Sequence, residues 1–155
     1  MALLVGRHLN RIDKKGRVSV PKPFRDAFAG QEFAGLYAYP LFKFSAVEAC
    51  DHTFMTRLSA SLDGLDMFSD EQDDLAAVIL EGSHALPFDP EGRIALPSEL
   101  VAHAALKDEV LFVGRGGRMQ MWHPAWYEQH RRDALLRAKS RGATLRLNPE
   151  AGDAT

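Results

Sequence analysis

The 155-residue chain has one cysteine, Cys50. No intrachain disulfide can form, and a four-cysteine zinc site cannot be built within one chain. A lone thiol suits a reducing compartment, so the cytoplasm is the expected location. Long apolar runs are also missing. Leu75 to Leu80 is among the longest unbroken stretches, whereas a membrane-spanning helix needs about 20 apolar residues. No membrane partner is expected. The N-terminus turns charged at Arg7, before the apolar core of roughly 7–15 residues that a signal peptide carries, so secretion by that route is not expected. No nucleophile elbow or paired-carboxylate motif stands out. The expectation is therefore a protein that is not an enzyme, with no catalytic residue and no small-molecule substrate.

Net charge is also small. Nineteen Lys and Arg against 21 Asp and Glu leave −2, and 46% of residues are apolar. Those proportions fit an ordinary soluble globular protein. The mean conceals segregation. Residues 1–25 hold seven basic side chains and one acid, Asp13. Residues 63–81 hold seven acids and no Lys or Arg, and residues 115–146 hold eight basic residues and two acids. A basic stretch is the footprint of a polyanion partner, although a charge run is more often a solvated face.

Sliding the sequence by 76 positions reveals an internal repeat. Gly6, His8, Asp13, Gly16, Arg17 and Pro21 fall on Gly82, His84, Asp89, Gly92, Arg93 and Pro97, six identities in sixteen positions without a gap. Ile12, Val18 and Val20 fall on the apolar Phe88, Ile94 and Leu96. Six matches in register mark a duplication. Each copy reads as a strand, a turn closed by glycine, a returning strand ended by proline, and a short helix. The helices are expected at Lys22–Ala29 and Ser98–Ala104. Two more strands follow in each copy, Leu36–Tyr39 with Phe42–Phe44, and Val110–Val113 with Met119–Trp122. A longer helix then starts near Ala46 in the first copy, on the spacing of Val47, Cys50, Phe54 and Leu58, and at Pro124 in the second. Ser69 opens a further helix with capping-box spacing to Gln72.

A unit of about 76 residues is near the size at which a lone core is marginal. Two copies most simply share one core about a pseudo-twofold axis. The expected units are residues 4–62, an acidic linker helix at 63–80, residues 81–141, and a loose tail at 142–155.

The pattern Asp-x-x-Gly-Arg-Val/Ile-x-Val/Leu-Pro after a strand resembles the swapped-hairpin barrel of AbrB-type DNA-binding proteins. Two copies at this spacing, Phe24-Arg25 after the first and Val110 to Trp122 after the second, resemble the MraZ family over about residues 4–140. The resemblance implies an α+β fold of tandem duplicated AbrB-like swapped-hairpin β-barrel halves sharing one core, with flanking helices. It implies a transcription regulator associated with the nucleoid. Such a protein would bind short direct repeats in double-stranded DNA upstream of the division and cell-wall gene cluster, its own promoter included. It also implies a homo-oligomeric ring, such as an octamer or larger. Family recognition falls on the turn Asp13, Lys14, Lys15, Gly16 and Arg17 and on its second copy Asp89, Gly92 and Arg93.

The repeat supplies an internal control. Asp13 and Asp89 are shared and read as turn-pinning residues that also pair with the following arginine. Lys14, Lys15, Arg7, Arg11, Lys22 and Arg25 are basic in the first copy alone, where the second has Pro90, Glu91, Ser83, Pro87, Ser98 and Val101. Lys14 and Lys15 are assigned to phosphate and Arg17 to a base edge or phosphate, with Arg7, Arg11, Lys22 and Arg25 flanking. Arg93 is the candidate contact from the second copy. The histidines lack zinc-ligand spacing, so no metal or cofactor is expected. Gly114-Arg-Gly-Gly117 lacks the features of a phosphate cradle and reads as a hairpin turn. The competing readings are an antitoxin-like or other protein-interaction module acting through the acidic middle segment.

Overall fold

Turn chemistry and proline punctuation lay out the first third of the chain, as seen in a computed structural model that describes residues 3–149. Strand β1 (Arg7–Arg11) meets the turn at Asp13–Gly16, returns as β2 (Arg17–Ser19), and stops before Pro21. Helix α1 (Lys22–Ala27) has Pro23 in its first turn, and Gly30 follows at a φ of 88°. Strand β3 (Gly35–Pro40), strand β4 (Val47–Cys50) and helix α2 (His52–Asp63) complete the first copy. Helix α3 (Asp70–Leu75) is capped by Ser69, whose Oγ accepts from the Gln72 N–H at 3.1 Å. It widens into a π-helical segment, Ala76–Glu81. The second copy supplies β5 (His84–Pro87), β6 (Arg93–Ala95), α4 (Ser98–His103), β7 (Glu109–Gly114), β8 (Met119–Trp122) and α5 (Pro124–Arg141).

The class is mixed α+β with antiparallel sheets. Six strands form one sheet in the order β1-β7-β8-β4-β3-β5, and β2 pairs with β6 in a separate two-stranded ribbon. The copies are therefore interleaved. First-copy β1 pairs with second-copy β7, and second-copy β5 pairs with first-copy β3. The sheet is open, with β1 and β5 at its edges, and no closed barrel forms among the described residues. The three-residue β2 and β6 are each stopped by proline, so their ladder runs to each other and does not close the larger sheet.

One core serves both copies. Val18 and Ile94, opposite each other in the ribbon, join Phe24, Leu100, Leu36, Phe112 and Met121, all at most 1% exposed. A smaller cluster of Ala46, Val113, Trp122 and Tyr127 lies under α5.

The region around residue 46 departs from the sequence expectation. No strand forms at Phe42–Phe44, and the helix expected from Ala46 begins at His52, after a strand. Val47, Glu48, Ala49 and Cys50 are all buried: Val47 and Ala49 join the main core, and Glu48 lies in a polar network with Tyr39, Arg118 and Gln120. A strand covered on both faces loses the alternation that marks a half-exposed one. Asp51 caps α2, accepting from the Phe54 N–H at 2.8 Å. The loop from 41 to 46 is also longer than its counterpart from 115 to 118. The repeat spacing therefore slips after the first helix.

Candidate nucleic-acid interface

The two turns are built alike. The Asp13 carboxylate accepts from the backbone N–H of Lys15 at 2.9 Å and of Arg17 at 2.8 Å, and its second oxygen takes Arg17 Nε at 2.8 Å. Asp89 accepts from Glu91 at 2.9 Å, Arg93 at 2.9 Å and Arg93 Nε at 2.8 Å. These bonds stabilise the charged carboxylates and hold both aspartates below the usual carboxylate range, the arginine backbone N–H being the largest cause. Gly16 and Gly92 both sit at a φ of 78°, which L side chains rarely adopt.

Their charge differs. Lys14 and Lys15 are exposed and have no carboxylate partner among the described residues, and Arg17 pairs with Asp13 alone. Arg93 meets three carboxylates: Asp89 at 2.8 Å, Glu91 at 3.1 Å and Asp13 at 3.9 Å. The first turn thus presents exposed ammonium groups beside a guanidinium, an arrangement suited to phosphate oxygens. The second is an internally compensated ion cluster.

The other basic residues do not all converge on the turn. Lys22 binds Asp26 on its own helix at 2.9 Å. Alternation along β1 sends Arg7, Leu9 and Arg11 to one exposed face. His8 and Asn10 point the other way, where His8 packs edge-on against Phe24 at 5.1 Å and Asn10 donates to the Ser19 carbonyl at 2.6 Å. Arg11 stands opposite Glu109. The field of Arg7 reaches Glu128 on α5, a carboxyl held below its ordinary range chiefly by its hydrogen bond from Arg131. Arg25 leans across the ribbon, donating from Nε to the Val20 carbonyl at 2.9 Å and lying against Gly92.

A buried polar network escaped sequence reasoning. Glu48, 9% exposed, accepts from the Tyr39 hydroxyl, from Arg118 Nε at 2.9 Å and from Gln120 Nε2 at 3.2 Å. Gln120 accepts from Trp122 Nε1 at 2.8 Å. Burial and Glu48 together push Tyr39 far above the ordinary tyrosine range, and burial pushes the Cys50 thiol up to about 12. Cys50 is thereby an inert core residue. Among the described residues no three His, Cys, Asp or Glu side chains cluster with metal-binding geometry.

Fold and site together define an α+β protein with antiparallel sheets and two turns of like geometry, the first open and cationic and the second held in carboxylate pairs. The family described as "MraZ protein, putative antitoxin-like" matches residues 79–147. A transcriptional regulator MraZ of Pelagibacter ubique is 40% identical over 144 residues, 93% of each chain. The proteins of that name from Gluconacetobacter diazotrophicus and Parvibaculum lavamentivorans are 43% and 41% identical, covering 90% and 95% of each chain. The chain belongs to the MraZ family.

Proposed function

We propose that this chain is a sequence-specific DNA-binding transcriptional regulator that works in the cytoplasm at the nucleoid. It binds short direct repeats upstream of the division and cell-wall gene cluster, its own promoter included. Its curated relatives carry the name of transcriptional regulators. The observation that carries the reading is the contrast between two turns of equal geometry, of which the first alone exposes Lys14 and Lys15 beside a singly paired Arg17. The lysines neutralise phosphates, and Arg17 reaches a base edge or a further phosphate. Arg7, Arg11 and Lys22 extend the positive field along the approaching backbone.

The cross-copy pairing of β1 with β7 and of β3 with β5, with the shared β2–β6 ribbon, supports a fold of two swapped-hairpin halves. One turn supplies few contacts. A ring of identical subunits would set several turns against several spaced repeats, raising avidity by orders of magnitude when the spacings match.

A protein-contact reading has one feature in its favour. Met67 and Phe68, 75% and 92% exposed, stand beside the acidic start of α3. That contact is compatible with DNA binding at the opposite charge.

Fluorescence anisotropy on duplex from upstream of the protein's own gene, against scrambled duplex and across salt, tests the regulator reading. Wild type should prefer the promoter. Lys14→Ala/Lys15→Ala should flatten the plot of log K against log salt by about two units while circular dichroism shows a folded protein. Loss of promoter preference in a folded Arg17→Ala would place recognition on this turn. No preference in wild type, or an unchanged slope in the double variant, would overturn the reading.

A further inference from the structure

The two turns share a backbone and differ in what lies over their glycines. Nothing lies within 4 Å of where a Cβ would project from Gly16. The same direction at Gly92 is filled by Arg25, whose Cδ and Cζ lie 2.6 Å from that position, with Nη1 closer still. Arg25 Nε donates to the Val20 carbonyl at 2.9 Å, and the Val20 N–H donates to the Gly92 carbonyl at 3.1 Å. Arg25, Val20 and Gly92 therefore form a closed clamp across the two copies. The mate of Arg25 in the repeat is Val101, which has no side-chain donor. The corresponding bond, Leu96 N–H to Gly16 carbonyl at 2.9 Å, is left without a clamp.

We propose that Arg25 is a positioning residue that closes the second turn to nucleic acid, leaving the first as the one reading turn of each chain. This rests on the DNA-binding reading above. A glycine at positive φ lets a ligand approach the backbone closely. Over Gly16 that approach is open, and over Gly92 Arg25 occupies it. The cation itself is not offered to phosphate, because Nε is committed to Val20 and the guanidinium lies against the turn. Arg93, the one basic side chain of the second turn, is compensated by Asp89, Glu91 and Asp13. A planar guanidinium can lie flat on a glycine and still donate from Nε, which an ammonium cannot reproduce. An internally symmetric body thus acquires a single recognition face, so each subunit contributes one turn to a set of repeated sites.

The test compares full-length wild type, Arg25→Val, Arg25→Lys, Pro90→Lys/Glu91→Lys, and the triple variant that adds Arg25→Val to the lysine pair. Each is titrated with promoter and scrambled duplex across salt, and hydrogen exchange by mass spectrometry is followed without DNA. Arg25→Val should keep the wild-type salt slope, because Arg25 neutralises no phosphate. It should speed exchange in the segment 89–93 and leave 13–17 unchanged, and Arg25→Lys should behave as Arg25→Val does. The lysine pair alone should leave the slope unchanged, whereas the triple variant should steepen it by about one to two units. A slope that falls by about one in Arg25→Val marks a phosphate contact and overturns the proposal. So does a slope that steepens with the lysine pair while Arg25 is in place, an arm that remains readable even if Arg25→Val does not fold. If wild type shows no promoter preference, the regulator reading fails. The exchange data and the slopes on scrambled duplex still decide the role of Arg25.

Discussion

Val20 and Gly92, from different copies of the repeat, share a backbone hydrogen bond of 3.1 Å from the Val20 N–H to the Gly92 carbonyl. Leu96 and Gly16 share its mate at 2.9 Å. Each glycine ends its own turn and extends the partner's strand by one bond. Val20 is 1% exposed and Leu96 is 9% exposed, so the exposed turns are tied directly to core positions. A change in turn geometry is therefore felt as a change in stability.

Gly16→Ala and Gly92→Ala should separate on that account. Both place a side chain at a φ of 78°, at a cost of about 1–2 kcal/mol. At Gly16 the new methyl meets open space, whereas at Gly92 it meets Arg25. Displacing Arg25 gives up its hydrogen bond to the Val20 carbonyl, which adds about 0.5–1.5 kcal/mol. Urea unfolding should therefore place Gly92→Ala below Gly16→Ala, and Arg25→Val should bring Gly92→Ala back toward its mate. Equal stabilities for the two single variants would show that Arg25 moves aside without cost.

What the sequence revealed and what it hid follow from the range of the interactions. The turns at Asp13 and Asp89, the helices after Pro21 and Pro97, the Ser69 cap and the start of α5 at Pro124 are local events, each settled within a few residues. Both aspartates pin their turns as expected. Strand β4 was hidden because much of its burial comes from the second copy, where β8, Arg118 and Gln120 lie far away in sequence, while Val47, Cys50 and Phe54 happen to suit a helical face. The open sheet was hidden for a similar reason, since the turn motif says how a hairpin folds and not whether a ladder closes. Arg25 stands beside the basic turn in sequence, but the fold turns it onto the second copy. One clue was available: its mate in the repeat is Val101, so whatever Arg25 does is done once.

Glu48 gathers three donors, from Tyr39, Arg118 and Gln120, in the middle of the sheet. Glu48→Leu would strand them together and should cost about 3 kcal/mol. Glu48→Gln keeps an acceptor oxygen and should cost about 1 kcal/mol. Arg118 is 38% exposed on its side chain, so solvent screens its pairing and Arg118→Met should cost less than Glu48→Leu. Denaturant midpoints at neutral pH check the order. A Glu48→Leu variant as stable as wild type would show that the network contributes nothing net.

His130 gives the fold a pH dependence whose sign can be stated. Its ring stacks on Trp122 with centroids 4.5 Å apart at 30° and meets Phe44 edge-on at 4.5 Å. Burial, then the charges of Arg115 and Arg137, hold its pKa below the ordinary 6.5, with Asp133 pulling weakly the other way. The folded state therefore favours the neutral ring. As pH falls through about 6.5 the unfolded chain takes up the proton first, so stability is full above that pH and declines below it, until the folded state also protonates. His130→Phe retains an aromatic ring at this position and removes the titration. Between pH 7.5 and 5.5 its unfolding midpoint should fall less than that of wild type. Parallel curves for the two proteins would assign the acid sensitivity to another group, and a steeper curve for His130→Phe would reverse the sign argued for this ring.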